Sequence, residues 1–380
     1  MKVLFVALTF VPDRRSANPG VNRYWCELSK ALTIRGVDIQ VLTPLRAGLP
    51  KTETWGAINV LRIPDSKTFI GRTGVIGDIS ALSFSLNLRR HRDLVESVDL
   101  IQTDMPVLAL LRAQGTPPCV SIVHHPYRVW TGLDLLWVPF AVRYQRRSLE
   151  RSDRIVVPSQ AVAEELAESQ GIDLTSITAV HHGIDTQMFA PAEASQKVGD
   201  DKRARVAYVG LLEKRKDISD LVDAIARLSA GGRDATLTLV SGGSDSTALK
   251  QYCQERRLLE RVEFVENADD EDLVRILRGC DVFAFPSHQE GFGFAMVEAM
   301  ACGKPVVAYD TATAREILGE CGVLVPRWDP DAFCDALFEL LADRERMQQI
   351  GNSARARVVR RFGWDRAASN YLAVYNNLLQ

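Results

Sequence analysis

Residues 281–310 read DVFAFPSHQEGFGFAMVEAMACGKPVVAYD, and this stretch decides the fold. An apolar run from Asp281 closes at Phe285-Pro286. A polar, glycine-rich segment follows, Ser287-His288-Gln289-Glu290-Gly291-Phe292-Gly293. Phe294–Cys302 then carries helical spacing and is stopped by Gly303 and Pro305, after which Pro305–Tyr309 is apolar again. Strand, loop, helix and strand in that order form one β-α-β unit of a parallel sheet. Glu290 and Glu298 bracket the glycine turn. Were both helical they would lie about 80° apart around the axis and share no face. Glu290 therefore belongs on the loop and Glu298 inside the helix, both addressing one ligand from different depths. A glycine turn opening a helix offers backbone N–H groups to an anion, and carboxylates accept hydrogen bonds from hydroxyls. A ligand with both phosphates and many hydroxyls is a nucleotide sugar. The plainer alternative, a surface loop and an ordinary helical Glu, places a carboxylate badly among Met296, Val297, Ala299 and Met300.

The same alternation of short apolar runs and helical patterns extends through the chain. Downstream of Arg205 the runs are Val206–Val209, Ala235–Val240, Val262–Val265, Asp281–Pro286, Pro305–Tyr309 and Val323–Val325. Upstream they are Val3–Leu8, Asp38–Leu42, Asn59–Ile63, Leu100–Gln102, Val120–His124, Arg154–Val157 and Ile177–Val180. The spacing of Val21–Arg35 predicts a helix ending at Gly36, a good C-terminal stop. The charged stretch Glu193–Arg205 lacks apolar periodicity and reads as the linker. The fold class expected is α/β, with two tandem Rossmann-like domains facing across a donor-binding cleft, since open parallel sheets bind ligands beyond their carboxyl ends. Residues 1–190 form the acceptor-side domain and 191–363 the donor domain. The amphipathic stretch 364–380 is either the last helix of the second domain or a helix crossing back to the first.

A length of 380 residues suits two domains of ordinary size, and 46% hydrophobic with 25% charged residues is a globular composition. A net charge of −2 argues against nucleic acid as the main partner. Seven scattered cysteines with no C-x-x-C read as reduced thiols of a cytoplasmic protein. Lys2 and Val3–Val11 resemble a short signal peptide, but Pro12, Asp13, Arg14 and Arg15 follow without a small-residue cleavage site, so a buried first strand is the reading. No apolar run reaches the roughly 20 residues of a spanning helix.

Paired carboxylates also suit a glycosidase, which leaves the glycine loop and the tandem Rossmann pattern unexplained. Asp329-Pro330-Asp331 is a D-x-D that could hold a metal. It precedes an amphipathic helix, where Asp at the N-cap and Pro at the first position are expected, and is read as a cap with no metal.

The segment Asp281–Asp310 resembles the donor-site signature of GT-B retaining glycosyltransferases of the E-x7-E type, family 4 group 1. That group includes bacterial mannosyltransferases and sucrose-phosphate synthases, and the similarity covers nearly the whole chain. The resemblance implies that Glu290 contacts hydroxyls of the transferred sugar and Glu298 the ribose. Gly291 and the backbone N–H groups of Phe292, Gly293 and Phe294 would hold the sugar and β-phosphate. Tyr208–Asp217 is similar to the family's G-R-x-x-x-x-K-G. Gly210 and Lys216 fall on the Gly and Lys positions, and Leu211 stands at the Arg position. Lys214 or Arg215 could supply the missing charge, although a basic surface turn explains them equally well. Glu316 matches a Glu of the family pattern and is also read as a helix-start residue, but Ala312 and Thr313 stand where paired glycines are usual. Gly242-Gly243 is similar to the family's glycine turn near the nucleotide, or is a plain tight turn.

In the first half Asn18-Pro19-Gly20-Val21 lies between strand and helix, with Pro19 replacing the first of two glycines and Gly20 left to approach the donor. His124, with His125 as the alternative, corresponds to the His the family places beside the anomeric centre. His182 before Gly183-Ile184-Asp185 is taken as hinge architecture. Leu133–Val142 with Arg143, Arg146 and Arg147, and Ile76–Leu88 with Arg89, Arg90 and Arg92, could meet anionic lipid, or be ordinary helices with basic ends.

The expected function is retaining, metal-independent transfer of a hexose from a UDP- or GDP-sugar, as co-substrate and without a cofactor, to an acceptor hydroxyl of a glycan, lipid-linked or small molecule. The catalytic candidates are His124, Glu290 and Lys216. A cytoplasmic protein, peripheral at the inner membrane face or free of it, is the expected setting. A nucleotide-sugar epimerase, a phosphorylase with pyridoxal phosphate, and a non-catalytic nucleotide-sugar-binding protein are the alternatives.

Overall fold

The computed structural model describes residues 1–12, 19–64, 84, 87–106, 116–126, 134–192, 203–213, 216–240 and 245–380. The chain divides into two compact units, Met1–Gly183 with Trp364–Gln380, and Ile184–Gly363.

The first unit is built on the strands β1 (Lys2–Val6), β2 (Asp38–Pro44), β3 (Thr52–Trp55), β4 (Ile58–Ile63), β5 (Leu100–Thr103), β6 (Cys119–Ile122), β7 (Arg154–Val157) and β8 (Ile177–Ala179). They form one sheet in the order β3-β4-β2-β1-β5-β6-β7-β8. Every neighbouring pair is parallel except β3 with β4. Val3, Leu4, Phe5 and Val6 of the central β1 are all fully buried, which is why that strand reads as an unbroken apolar run. Its described helices are α1 (Pro19–Ile34), α2 (Arg92–Glu96), α3 (Asp134–Leu149) and α4 (Gln160–Gln170). The antiparallel edge β3 was not anticipated, because Thr-Glu-Thr-Trp is polar and half exposed, and only the turn at Gly56 (φ +59) marks the hairpin.

The second unit carries β9 (Ala204–Val209), β10 (Ala235–Val240), β11 (Val262–Val265), β12 (Val282–Phe285), β13 (Val306–Tyr309) and β14 (Val323–Val325). The order is β11-β10-β9-β12-β13-β14, all parallel. Its helices are α5 (Ile218–Ala230), α6 (Ser246–Glu255), α7 (Asp270–Gly279), α8 (Phe294–Ala301), α9 (Ala312–Leu318), α10 (Pro330–Ala342) and α11 (Arg344–Arg361). Asp329 caps α10 by accepting from the Ala332 N–H at 2.9 Å, with Pro330 at its first position. Ala204 and Arg205 open β9 rather than ending a linker; residues 193–202 lie outside the described set.

The last helix, α12 (Trp364–Leu379), packs against α1 and belongs to the first unit. Its buried stripe of Ala367, Ala368, Tyr371, Val374 and Tyr375 follows the three-and-four spacing of one helix face. Among the described residues no helix is long and apolar enough to cross a membrane.

Candidate functional site

In the second unit the chain runs outward in both directions from one seam of the sheet. β9 and β12 are neighbours, with Val206 opposite Val282 and Ala207 opposite Phe283, while β10 flanks β9 and β13 flanks β12. Connections leaving the carboxyl ends of β9 and β12 diverge, and a crevice opens at such a switch point. Two loops meet there, Gly210–Asp217 after β9 and Pro286–Gly293 after β12. Gly210 has φ +151, and a Cβ at that position would stand 2.7 Å from the Tyr208 hydroxyl. Only glycine fits without displacing that ring.

Lys216 and Glu290, drawn from these two loops, are in direct ion-pair contact. The Lys216 ammonium also donates to Ser287 Oγ at 3.0 Å, and Ser287 Oγ donates to Glu290 Oε1 at 2.8 Å. The lysine side chain is only 8% exposed and the glutamate 22%. A buried ammonium is tolerated when it is paired and its donors are used, and here a carboxylate and a hydroxyl are among its partners. The cluster is thus a cation held at the sheet edge by ligands that are themselves good partners for hydroxyls.

The turn into α8 is Gly293, with φ +79 and ψ +59, where no side chain caps the helix. A glycine takes this left-handed conformation without the Cβ penalty. α8 itself is apolar almost all round, with Met296, Val297, Ala299 and Met300 at 0% exposure. Glu298 is its fifth residue and is 3% exposed. Gly291 and Phe292 precede the turn and Phe294 opens the helix; Phe292 is buried against Phe294 and Phe362. The site thus combines a buried carboxylate, a half-buried carboxylate, a cation and a helix start.

Sequence reasoning did not single out the residues that brace this cluster. His288 Nε2 and Asp217 Oδ2 are hydrogen-bonded at 2.7 Å. The imidazole is stacked between Trp328 and Tyr309, with ring centroids 3.4 Å and 4.6 Å away and interplanar angles of 16° and 15°. Burial pushes the His288 pKa down; the bond and charge of Asp217 oppose this, and nearby Arg327 adds to it. Tyr309 donates to Asp220 Oδ2 at 3.0 Å. Burial, and then the Asp220 charge, raise the phenol well above its ordinary value. The signal available was adjacency, since Ser287-His288 and Lys216-Asp217 are consecutive pairs on the two loops.

Glu316 is the fifth residue of α9, which starts at Ala312 behind the N-cap Thr311, so it does not open the helix. Thr311 Oγ1 accepts from the Ala314 N–H at 3.1 Å, moving the helix start upstream. The Glu316 carbonyl accepts from Arg357 Nη2 at 2.7 Å. Thr313, standing where a glycine was expected, donates from Oγ1 to the Glu290 carbonyl at 2.8 Å. Leu211, at the expected Arg position, offers its carbonyl to the Tyr208 hydroxyl at 3.3 Å.

In the first unit α1 begins at Pro19, so Gly20 lies inside the first helical turn rather than in a loop before it. Proline suits that first position because its missing N–H would have no partner there. β6 ends at Ile122, and His124 stands two residues beyond it. Its ring meets Tyr24 edge-on at 4.9 Å, and its Nε2 is 4.0 Å from Asp104 Oδ2, beyond hydrogen-bond length. Burial lowers the His124 pKa to about 3, with His125 adding to the shift. Burial raises that of Asp104 to about 6, against hydrogen bonds from the Trp25 indole and the Leu8 N–H. Asp104 sits at this sheet's own switch point between β1 and β5 and was also missed. His182 packs its ring 4.6 Å from Tyr24 and is buried. Tyr24 donates to the Tyr371 hydroxyl at 2.8 Å and accepts from Gln102 Nε2 at 2.5 Å, and Tyr375 donates to Gln102 Oε1.

Asn18, Lys214, Arg215, Gly242, Gly243, Leu133 and most of Ile76–Leu88 lie outside the described residues, as do most side chains of Leu135–Val142. Arg146, in the last turn of α3, pairs with Glu150 at 2.8 Å.

Two Rossmann-like sheets in one chain, the second with a glycine turn between two glutamates, are the architecture of the GT-B glycosyltransferases. The profile of the "Glycosyl transferases group 1" matches residues 191–357, and that of "Glycosyltransferase Family 4" matches residues 19–188. A D-inositol 3-phosphate glycosyltransferase of Xylanimonas cellulosilytica is 31% identical over 94% of this chain and 91% of its own length. The structure of a sucrose-phosphate synthase from Thermosynechococcus elongatus superposes with a TM-score of 0.86, at 23% identity over 99% of this chain and 98% of that one. The Anabaena protein HepE, in complex with UDP-glucose, superposes with a TM-score of 0.75 at 19% identity, over 98% of this chain and 100% of the other. The chain belongs to the group 1 glycosyltransferases of family 4 and is a glycosyltransferase of GT-B fold.

Proposed function

We propose that the protein moves a hexose from a UDP- or GDP-linked sugar to an acceptor hydroxyl, with retention at the anomeric carbon and without a metal ion. The observation that carries this reading is the contact of Lys216 with Glu290 and Ser287 beside the glycine turn that opens α8. A diphosphate needs cations as it leaves, and Lys216 with the dipole of α8 supplies positive potential at one place. Glu290 would accept from the sugar's hydroxyls and the buried Glu298 from the ribose. Gly210, Gly291, the amides of Phe292, Gly293 and Phe294, and Glu316 complete the donor assignment. His124 would stand beside the sugar's anomeric centre, and Gly20 would let the backbone approach the donor's phosphate or sugar. In the reaction the bond from the anomeric carbon to the β-phosphate oxygen breaks and a bond to the acceptor oxygen forms on the same face. The departing phosphate oxygen takes the acceptor's proton, so no enzyme nucleophile is required.

A panel of labelled UDP-, GDP- and ADP-hexoses tests the reading. Slow release of free sugar supports a transferase, an isomerised nucleotide sugar an epimerase, and binding without turnover a sensor. Glu298→Ala is expected to weaken nucleotide binding and Glu290→Ala mainly to lower turnover. Unchanged kinetics in both variants would sink the site assignment. The UDP-glucose held by HepE makes the UDP series the first arm of the panel.

A further inference from the structure

We propose that Asp217 and His288 are a positioning pair whose hydrogen bond holds the left-handed turn that aims Lys216 into the donor loop. The inference rests on the assignment of Lys216 to the donor's diphosphate.

Asp217 has φ +45 and ψ +46. An L-residue in this region is disfavoured relative to the right-handed well, less so for Asp than for most, and glycine is its usual occupant. Asp217 directly precedes α5, where a carboxylate ordinarily accepts from the first-turn N–H groups. It makes no such cap; its carboxylate goes to His288 Nε2 instead, at 2.7 Å. A local propensity has thus been overruled by a bond to the other loop.

His288 is built to stay where it is. Trp328 and Tyr309 clamp its two faces, and Arg327 Nη2 donates to its carbonyl at 3.3 Å. Trp328 is itself left-handed, with φ +64, and remains 63% exposed. The other ring nitrogen, Nδ1, is buried and has no hydrogen-bond partner among the described residues. The neutral ring therefore carries its proton on Nε2, donating to Asp217, because a second proton on Nδ1 would be left without an acceptor.

The consequence lies in the spacing. Lys216 contacts Ser287 and Glu290, and the next residue contacts the residue after Ser287. The same two loops are pinned twice, once by groups a ligand can displace and once by a pair it does not need. When phosphate and hydroxyls take over Lys216 and Glu290, the second pin keeps the lysine in place.

The probe is inorganic pyrophosphate, a diphosphate without base or sugar, titrated into the full chain below its unfolding transition. Release of sugar from the UDP-, GDP- and ADP-hexoses is followed in parallel. His288→Ala is expected to weaken pyrophosphate binding about tenfold, a coupling of roughly 1.4 kcal/mol. Asp217→Gly, which relieves the turn of its need for a partner, is expected to stay within about threefold of the natural protein. The double variant Asp217→Gly/His288→Ala should regain the binding lost in His288→Ala, a rescue that loss of stacking alone would not give. A double variant as weak as His288→Ala overturns the inference, and so does a His288→Ala variant that binds normally. Lys216→Met separates this from the parent reading. If it leaves binding and turnover unchanged, the phosphate assignment of Lys216 has failed; if it abolishes both while positions 217 and 288 show no coupling, only the pair has failed. Absence of pyrophosphate binding by the natural protein counts against both.

Discussion

In the second unit a cation, a hydroxyl and an anion meet as Lys216, Ser287 and Glu290, whereas in the first unit Tyr24, Gln102, Tyr371 and Tyr375 join as four neutral side chains. Both clusters are drawn from segments far apart in sequence. The tyrosine network is fully buried and each hydroxyl or amide has found a partner within it. A satisfied neutral network of this kind rigidifies one packing. The charged cluster leaves Glu290 partly exposed, and its partners are groups that water, phosphate or a hydroxyl can replace. The first arrangement is fitted to persist and the second to exchange partners, so substitutions should register as stability in one and as turnover in the other.

Lys216→Met should break that comparison most sharply. Turnover of the donor is expected to fall about 10²- to 10³-fold, the range for loss of one preorganised charge-stabilising donor, while the unfolding temperature changes little. Comparable loss of stability, read by calorimetry, would make Lys216 a structural residue. Tyr371→Phe tests the other side. It leaves the Tyr24 hydroxyl without its acceptor and should cost about 1–3 kcal/mol of stability in the first unit. Donor turnover in the folded enzyme should change little; a large fall in turnover at full stability would refute the division.

Acidification sharpens the contrast within the first unit. His124 is held at about 3 from an ordinary 6.5, so the unfolded chain takes up its proton first. Its contribution is present above 6.5 and is lost as the pH falls toward 3, by at most about 1.4 kcal/mol per pH unit. Asp104 is raised from 3.8 to about 6 and works the other way, its contribution being present below 3.8 and lost as the pH rises through 6. Between those values the two oppose each other. His124→Asn should therefore remove one slope and make the first unit gain stability on acidification relative to the natural protein. Parallel curves in a denaturant series at several pH values would rule this out. The smallest effect is expected from Thr313→Val, which removes the bond to the Glu290 carbonyl. A loss of about 0.5–1.5 kcal/mol in kcat/KM is anticipated, with Thr313→Ser restoring it.

The sheets were legible because their central strands are buried on both faces and appear as unbroken apolar runs, as Val3–Val6 and Val282–Phe285 do. The glycine turn was legible because Gly291 and Gly293 sit between such a run and a helical one. β3 was not, since an exposed edge needs no apolar alternation. Neither was the tyrosine network, because residues 24, 102, 371 and 375 share no local period and only the fold brings them together. Asp217 was hidden for a different reason. A left-handed turn announces itself by glycine, and here the same conformation is held by a side chain whose partner is seventy-one positions away. Glu316 is not a helix-start residue because Thr311, a short-range capping signal, starts α9 at Ala312.

The return of α12 to the first unit bears on how the chain is made. Tyr371 and Tyr375 supply partners for Tyr24 and Gln102, yet they are translated only after the whole of Ile184–Gly363. During synthesis the segment Met1–Gly183 must therefore wait with that part of its polar interior unpaired, while the second unit can close as soon as it has left the ribosome. Domains usually complete in order from the amino terminus; here the order of completion should be reversed. A chain shortened before Trp364 is accordingly expected to carry a finished second unit beside an unfinished first one.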